Sequence, residues 1–127
     1  MKRLLTLCLA ACALAVSTPA YVHHSGAMFD RNKVITITGT ITEFRWMNPH
    51  SSFKLDVLNS QGDAEVWAVE MNSPNNLVRL GWKRTTLKKG DKVTVKINPL
   101  RNGQLGGWYQ SITLPDGKVL DGEPPSN

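Results

Sequence analysis

The stretch from Lys33 to Trp46 constrains the fold more than any other part of the chain. Ile35, Ile37 and Ile41 fall on one parity, and Thr36, Thr38, Thr40 and Thr42 fall on the other. Neighbouring side chains on a strand point to opposite faces, so this β-branched alternation predicts a half-buried strand. Gly39 sits in its middle, where a strand glycine marks a bulge or a sharp bend. Beyond it the apolar parity passes to Phe44 and Trp46, which fits a bend there. A long strand bent near its centre can serve both halves of a small closed barrel.

The remaining elements agree with a barrel. Asn48-Pro49 breaks the first strand. Phe53, Leu55 and Val57 alternate with Lys54 and Asp56 as strand two, and Asn59 to Asp63 is a polar turn. Ala64 to Met71 is strand three, with Val66 and Ala68 on one face and Trp67, Val69 and Met71 on the other. Then the period changes. Ser73 suits an N-cap and Pro74 the first helical position, Leu77 and Leu80 form an apolar stripe, and Gly81 stands at C′. Val93, Val95 and Ile97 alternate with lysines and Thr94 as strand four. Asn98 to Gly107 reads as a glycine-containing loop, Trp108 to Leu114 as strand five, and Lys118 to Leu120 as a short last strand. Three strands, a helix and two or three strands predict an all-β fold with one short helix: a five- to six-stranded OB-like Greek-key barrel. Another small barrel or a sandwich is the alternative. An immunoglobulin-like sandwich is disfavoured by too few strands and by the lack of a Cys…Trp…Cys pattern.

The N-terminus reads as an address. Lys2 and Arg3 precede an apolar run from Leu4 to Val16, and Thr18 and Ala20 are small residues at the minus-three and minus-one positions of a cut. That is a secretory signal peptide over residues 1–20, cleaved after Ala20, and the run is too short for a permanent membrane span. The expected location is periplasmic or secreted. Leu9-Ala10-Ala11-Cys12 also resembles a lipoprotein box, which would leave an unusually short signal. Residues 21–32 then form a histidine-containing segment, residues 33–120 the barrel, and residues 121–127 a polar tail. Both cysteines, Cys8 and Cys12, go with the leader, so the folded part relies on a core rather than crosslinks. The full chain carries 15 basic and 10 acidic residues. Losing Lys2 and Arg3 leaves a formal charge of +3, which argues against a nucleic-acid partner. Lys83, Arg84, Lys88 and Lys89 cluster around a turn and read as a solvated face.

The three histidines of the chain fall in two short motifs, His23-His24-Ser25 and Asn48-Pro49-His50. Neutral imidazole is the commonest metal-binding side chain, and two or three together can hold copper, zinc or nickel. After a cut at Ala20, His23 is also the third residue, so a free amine, two backbone amides and its ring could form a square-planar nest for Cu(II). Equally, His23 and His24 can be ordinary surface residues, and Asn-Pro-His can simply build a turn. A shared site requires the N-terminal segment to fold back beside the loop. Met47 is a further soft ligand, and Glu70, the acidic position of an apolar strand, could ligate, orient a histidine, or point outward. Trp46, Phe53, Trp67 and Trp108 could instead form an aromatic face for a small organic ligand, peptide or glycan, although tryptophans in so small a domain are more often packing residues. No thiol nucleophile, phosphate-cradling glycine loop or HExxH motif occurs outside the leader. The chain reads as non-catalytic, with no organic cofactor.

His23-His24-Ser25, Thr38-Gly39-Thr40, Trp46-x-Asn48-Pro49-His50, Trp67-x-x-Glu70, Ser73-Pro74-Asn75, Gly81-Trp82 and Gly90-Asp91 together resemble a family of small exported bacterial proteins of unknown function. The resemblance runs from Val22 to about Leu120. It implies a periplasmic location and brings no activity with it. At the level of fold the chain is also similar to the periplasmic OB-fold copper and silver chaperones, which use a histidine, two methionines and a tryptophan. Trp46, Met47 and His50 are of those types, but the two-methionine spacing is absent. The expectation is therefore a copper-binding protein through His23, His24 and His50, with Glu70 and Met47 in support. The alternatives are a module for a small organic ligand and an interaction subunit of an envelope complex.

Overall fold

The computed structural model describes residues 26–122. His23, His24, both cysteines, the leader and the tail beyond Gly122 lie outside the described residues. A short 3-10 turn at Gly26–Met28 leads into β1 (Ile35–Arg45), β2 (Ser52–Leu58), β3 (Ala64–Glu70), α1 (Pro74–Arg79), β4 (Lys92–Pro99), β5 (Gly106–Thr113) and β6 (Val119–Asp121). Hydrogen-bonded neighbours run β3-β2-β1-β4-β5-β6, and a parallel pairing of β3 with β5 closes the sheet. The fold is a closed five-stranded OB-like barrel with one extra strand and one short helix.

β1 is shared as its length requires. Ile35 to Thr40 pair with β4, while Thr40 to Arg45 pair with β2. The bulge lies between Ile41 and Glu43 rather than at Gly39. Gly39 has another duty: a Cβ there would sit 2.3 Å from the Asp56 carbonyl oxygen, so only glycine lets β2 cross this closely. The extra residue at Thr42 moves the apolar parity from Ile41 to Phe44. Closure at the far side rests on the same device. A Cβ on Gly106 would lie 2.5 Å from the Ala68 carbonyl oxygen, and one on Gly107 would lie 2.3 Å from that of Asn98. These glycines therefore belong to β5, which starts two residues earlier than its side-chain pattern suggests.

The core joins Ile37, Ile41, Phe53, Leu55, Val69, Val95, Ile97 and Ile112 inside the barrel with Leu77, Trp82 and Leu87 from α1 and its following loop. Trp82 seats this region: its ring meets Tyr109 edge-on at 5.3 Å and Phe44 at 6.0 Å. The helix ends as its sequence indicates. The Gly81 amide donates to Val78 and the Trp82 amide to Leu77, with Gly81 at φ +91°, the pair of bonds of a Schellman cap. Its start differs, because the Ser73 side chain makes no cap bond. Asn72 stands in: its Oδ1 accepts from the Ser73 amide at 2.7 Å and from Asn76 Nδ2 at 2.8 Å.

A cleft at His50 and Glu70

Ser52 of β2 lies opposite Glu70 of β3. The ladder runs one step further, where the Ser51 amide donates to the Asn72 carbonyl at 3.1 Å and the Met71 amide to the Ser51 carbonyl at 2.9 Å. That step fixes the backbone beside His50, which ends the loop after the cis Asn48–Pro49 peptide. Parity then decides the meeting. Val69 and Trp67 face inward with Phe53 and Leu55, so Glu70 points outward, toward the loop. His50 Nδ1 donates to Glu70 Oε1 at 2.6 Å, and both side chains are about three-tenths exposed. A carboxylate on Nδ1–H fixes the ring orientation and the tautomer, which leaves the Nε2 lone pair for another partner. The two readings of Glu70, outward and orienting a histidine, therefore meet in one geometry.

An aromatic ring also stands beside the imidazole. Trp108 stands beside Glu70 in the parallel pairing and meets the His50 ring edge-on at 5.5 Å. It is 3% exposed, yet it lies on the outer side of β5, because Tyr109 takes the inward direction. What covers it is Phe29, at 5.6 Å between ring centres. The segment that carries Phe29 is tied down by three backbone-directed bonds: the Asp30 amide to the Pro99 carbonyl, the Arg101 amide to the Met28 carbonyl, and Arg101 Nε to the Ala27 carbonyl. Asp30 and Arg101 add a long ion pair at 3.9 Å. A satellite cluster outside the barrel thus fastens residues 27–30 near the Asn-Pro-His loop.

An open cleft of about 330 Å³ is lined by Met28, Phe29 and Leu100 together with His50, Lys54 and Glu70. Lys54 is paired with Glu43, 3.4 Å from its Nζ. Arg45, also bonded to Glu43, keeps that carboxyl below its usual range.

The other candidates separate. Met47 is 52% exposed and does not line the cleft. Trp46 is half-buried against Phe44, at 6.0 Å, and Trp67 is half-buried beside the core. Phe53 is fully inside the barrel. Phe53, Trp67 and Trp108 therefore do not form one exposed aromatic face. Among the described residues, no group of three or more His, Cys, Asp or Glu side chains is placed to hold a metal ion. No helix among them is long and apolar enough to cross a membrane. The residues that sequence reasoning missed are Phe29 and Arg101. The one available signal was an aromatic, Phe29, standing between the His23-His24 motif and β1.

Solved structures similar to this one include the mitochondrial single-stranded DNA-binding protein of S. cerevisiae in two crystal forms. One aligns with TM-score 0.49 at 14% identity, over 65% of this chain and 91% of that one. The other gives 0.46 at 16%, over 65% and 93%. These neighbours are named as single-stranded DNA-binding proteins, and the exclusion of nucleic acid drawn from net charge is withdrawn. Physically, a whole-chain charge averages over segments that differ strongly, so it cannot exclude a local anion-binding surface. No curated protein matches the chain. The family model that describes itself as a family of unknown function, DUF6152, matches residues 11–109, and the chain belongs to that family.

Proposed function

We propose that this protein is an exported, non-catalytic metal-binding protein whose ion is copper. Its site joins His50, oriented by Glu70, to His23 and His24 of the N-terminal segment. The observation that carries the reading is the docking of Phe29 against Trp108, whose ring also meets His50, so that Met28 and Phe29 line the same cleft as His50. Only Ser25 separates His24 from the Gly26–Met28 turn, and a step of two residues reaches at most about 7 Å. Imidazole suits Cu(II), and a carboxylate behind the ring raises its basicity as a ligand. The described residues supply too few donors alone, so the reading requires the N-terminal histidines. The signal-like leader supports export, with the cut after Ala20 and a periplasmic or secreted location.

Native mass spectrometry of the exported protein, purified without chelator or affinity tag, tests this. The intact mass fixes the first residue, and a bound metal adds a discrete increment. One copper per chain in the wild type, lost in both His50→Ala and His23→Ala/His24→Ala, is expected. Copper retained by His50→Ala but lost with His23→Ala would leave only an amino-terminal nest and overturn the shared site. A protein that refuses copper, zinc and nickel on titration sinks the reading. The cleft itself favours the second reading, a small organic ligand: its volume of about 330 Å³ falls at the lower end of such sites. Chelator-insensitive ligand binding there would put that reading first.

A further inference from the structure

The positive charge of the described chain is concentrated in one place. From Arg79 to Lys92 it carries Arg79, Lys83, Arg84, Lys88, Lys89 and Lys92 against Asp91 alone. The rest of the described residues hold seven lysines and arginines against eight acids, so outside this segment the balance is slightly negative. All six cations are exposed, and none makes an ion pair among the described residues. Asp91 is the one acid of the segment, and its Oδ2 accepts from the Lys88 amide at 2.9 Å, which holds it in the turn.

The segment is also anchored to the barrel. Trp82 and Leu87 are buried on either side of Lys83 and Arg84. The Thr86 amide donates to the Lys83 carbonyl, and Thr86 Oγ1 accepts from the Lys83 amide at 2.8 Å. Further on, the Gly90 amide donates to Ile41, and the Ile41 amide to Asp91, which pins the turn to β1. Cations on a fixed frame lose little backbone freedom when they engage a partner. The frame exposes an aliphatic side chain beside them, Val78 at 58%, while its aromatic, Trp82, is buried and offers no stacking surface.

We propose that the loop between α1 and β4 docks this protein peripherally on an anionic phospholipid surface. Six unpaired cations match a sheet of phosphodiester charge, and each basic residue near such a surface adds to the attraction. Val78 gives an apolar foot at the headgroup boundary. The surface is separate from the His50 cleft and does not depend on it.

Sedimentation with vesicles tests the assignment. The exported, processed protein is mixed with vesicles of pure phosphatidylcholine and with vesicles containing phosphatidylglycerol. Binding to the second kind only, weakening as salt is raised, is expected. Replacing Lys83, Arg84, Lys88 and Lys89 by Gln should lower the partition coefficient by about two to three orders of magnitude. Thermal unfolding of the same variant should coincide with that of the wild type, since all four side chains are exposed. Equal partition into neutral and anionic vesicles, or none into either, overturns the proposal. So does a variant that keeps full binding. Preferential binding of a single-stranded oligonucleotide through these same residues would reassign the loop to a different polyanion and overturn the lipid reading.

Discussion

The His50 cleft and the α1–β4 loop represent two ways of assembling a polar surface. In the cleft, His50 and Glu70 are far apart in sequence and meet because β2 and β3 pair in one register. There the charged side chains are paired one to one, His50 with Glu70 and Lys54 with Glu43, and the net charge is small. In the loop, the cations are sequence neighbours, and the fold merely holds them out with their charges unpaired. The first arrangement selects a partner by geometry, since one displaced strand would separate the pair. The second selects by charge sign, tolerates exchange of one cation for another, and is screened by salt. A single small barrel carries both because strand ends hold the cleft and a Trp-anchored connection holds the loop.

The comparison breaks most visibly at Trp82. Trp82→Ala removes the anchor of the loop and a buried ring in contact with Phe44 and Tyr109. A loss of about 3–5 kcal/mol in denaturant unfolding is expected. In the part of the population that stays folded, the chemical shifts of His50 should hold while those of the Lys83–Lys89 turn scatter. Collapse of both together would mean that the two regions are one cooperative unit.

Glu70→Gln sharpens the other side. The amide keeps the shape of the carboxylate but no longer holds Nδ1–H with a charge. Titration calorimetry should show copper affinity about 10- to 100-fold weaker, the usual cost of losing the group behind a ligating histidine. Vesicle binding should be unchanged. A copper affinity equal to the wild type would reduce the His50–Glu70 bond to a structural contact.

A smaller effect distinguishes the barrel floor from both surfaces. Burial pushes the Tyr109 hydroxyl well above its ordinary value, and it donates to the Leu120 carbonyl at 2.5 Å. A raised folded-state value means that its contribution is full below the unfolded tyrosine value, about 10, and is lost as pH rises above it. Stability should therefore fall in alkali as the unfolded chain ionises. Tyr109→Phe should cost about 1–3 kcal/mol at neutral pH, through the unpaired carbonyl, and should lack this part of the alkaline loss. Unfolding curves at pH 8 and pH 11 compare the two.

Much of the barrel was legible because its signals are local. The alternation of Ile35, Ile37 and Ile41, the Ser73-Pro74 start and the Gly81 stop each depend on residues within a turn or two of one another. The errors have a common source, since each turned on a neighbour distant in sequence. The missing side chain of Gly39 suggests a bulge or a sharp bend, while what demands glycine there is the passing Asp56 carbonyl. Gly106 and Gly107 read as loop for the same reason. Trp108 read as barrel face or packing residue, and its burial instead comes from Phe29 and His50 outside the barrel.

By itself the sequence determined the strand periods, the helix between β3 and β4, the signal-like leader and the cationic run from Arg79 to Lys92. All of these follow from the spacing of side chains along one chain. The tertiary structure alone decided that Glu70 stands behind His50, that the N-terminal segment docks on Trp108, and that three glycines are required where backbones cross. Pairing register and barrel closure set those distances, and both arise from contacts between residues that the chain itself keeps far apart.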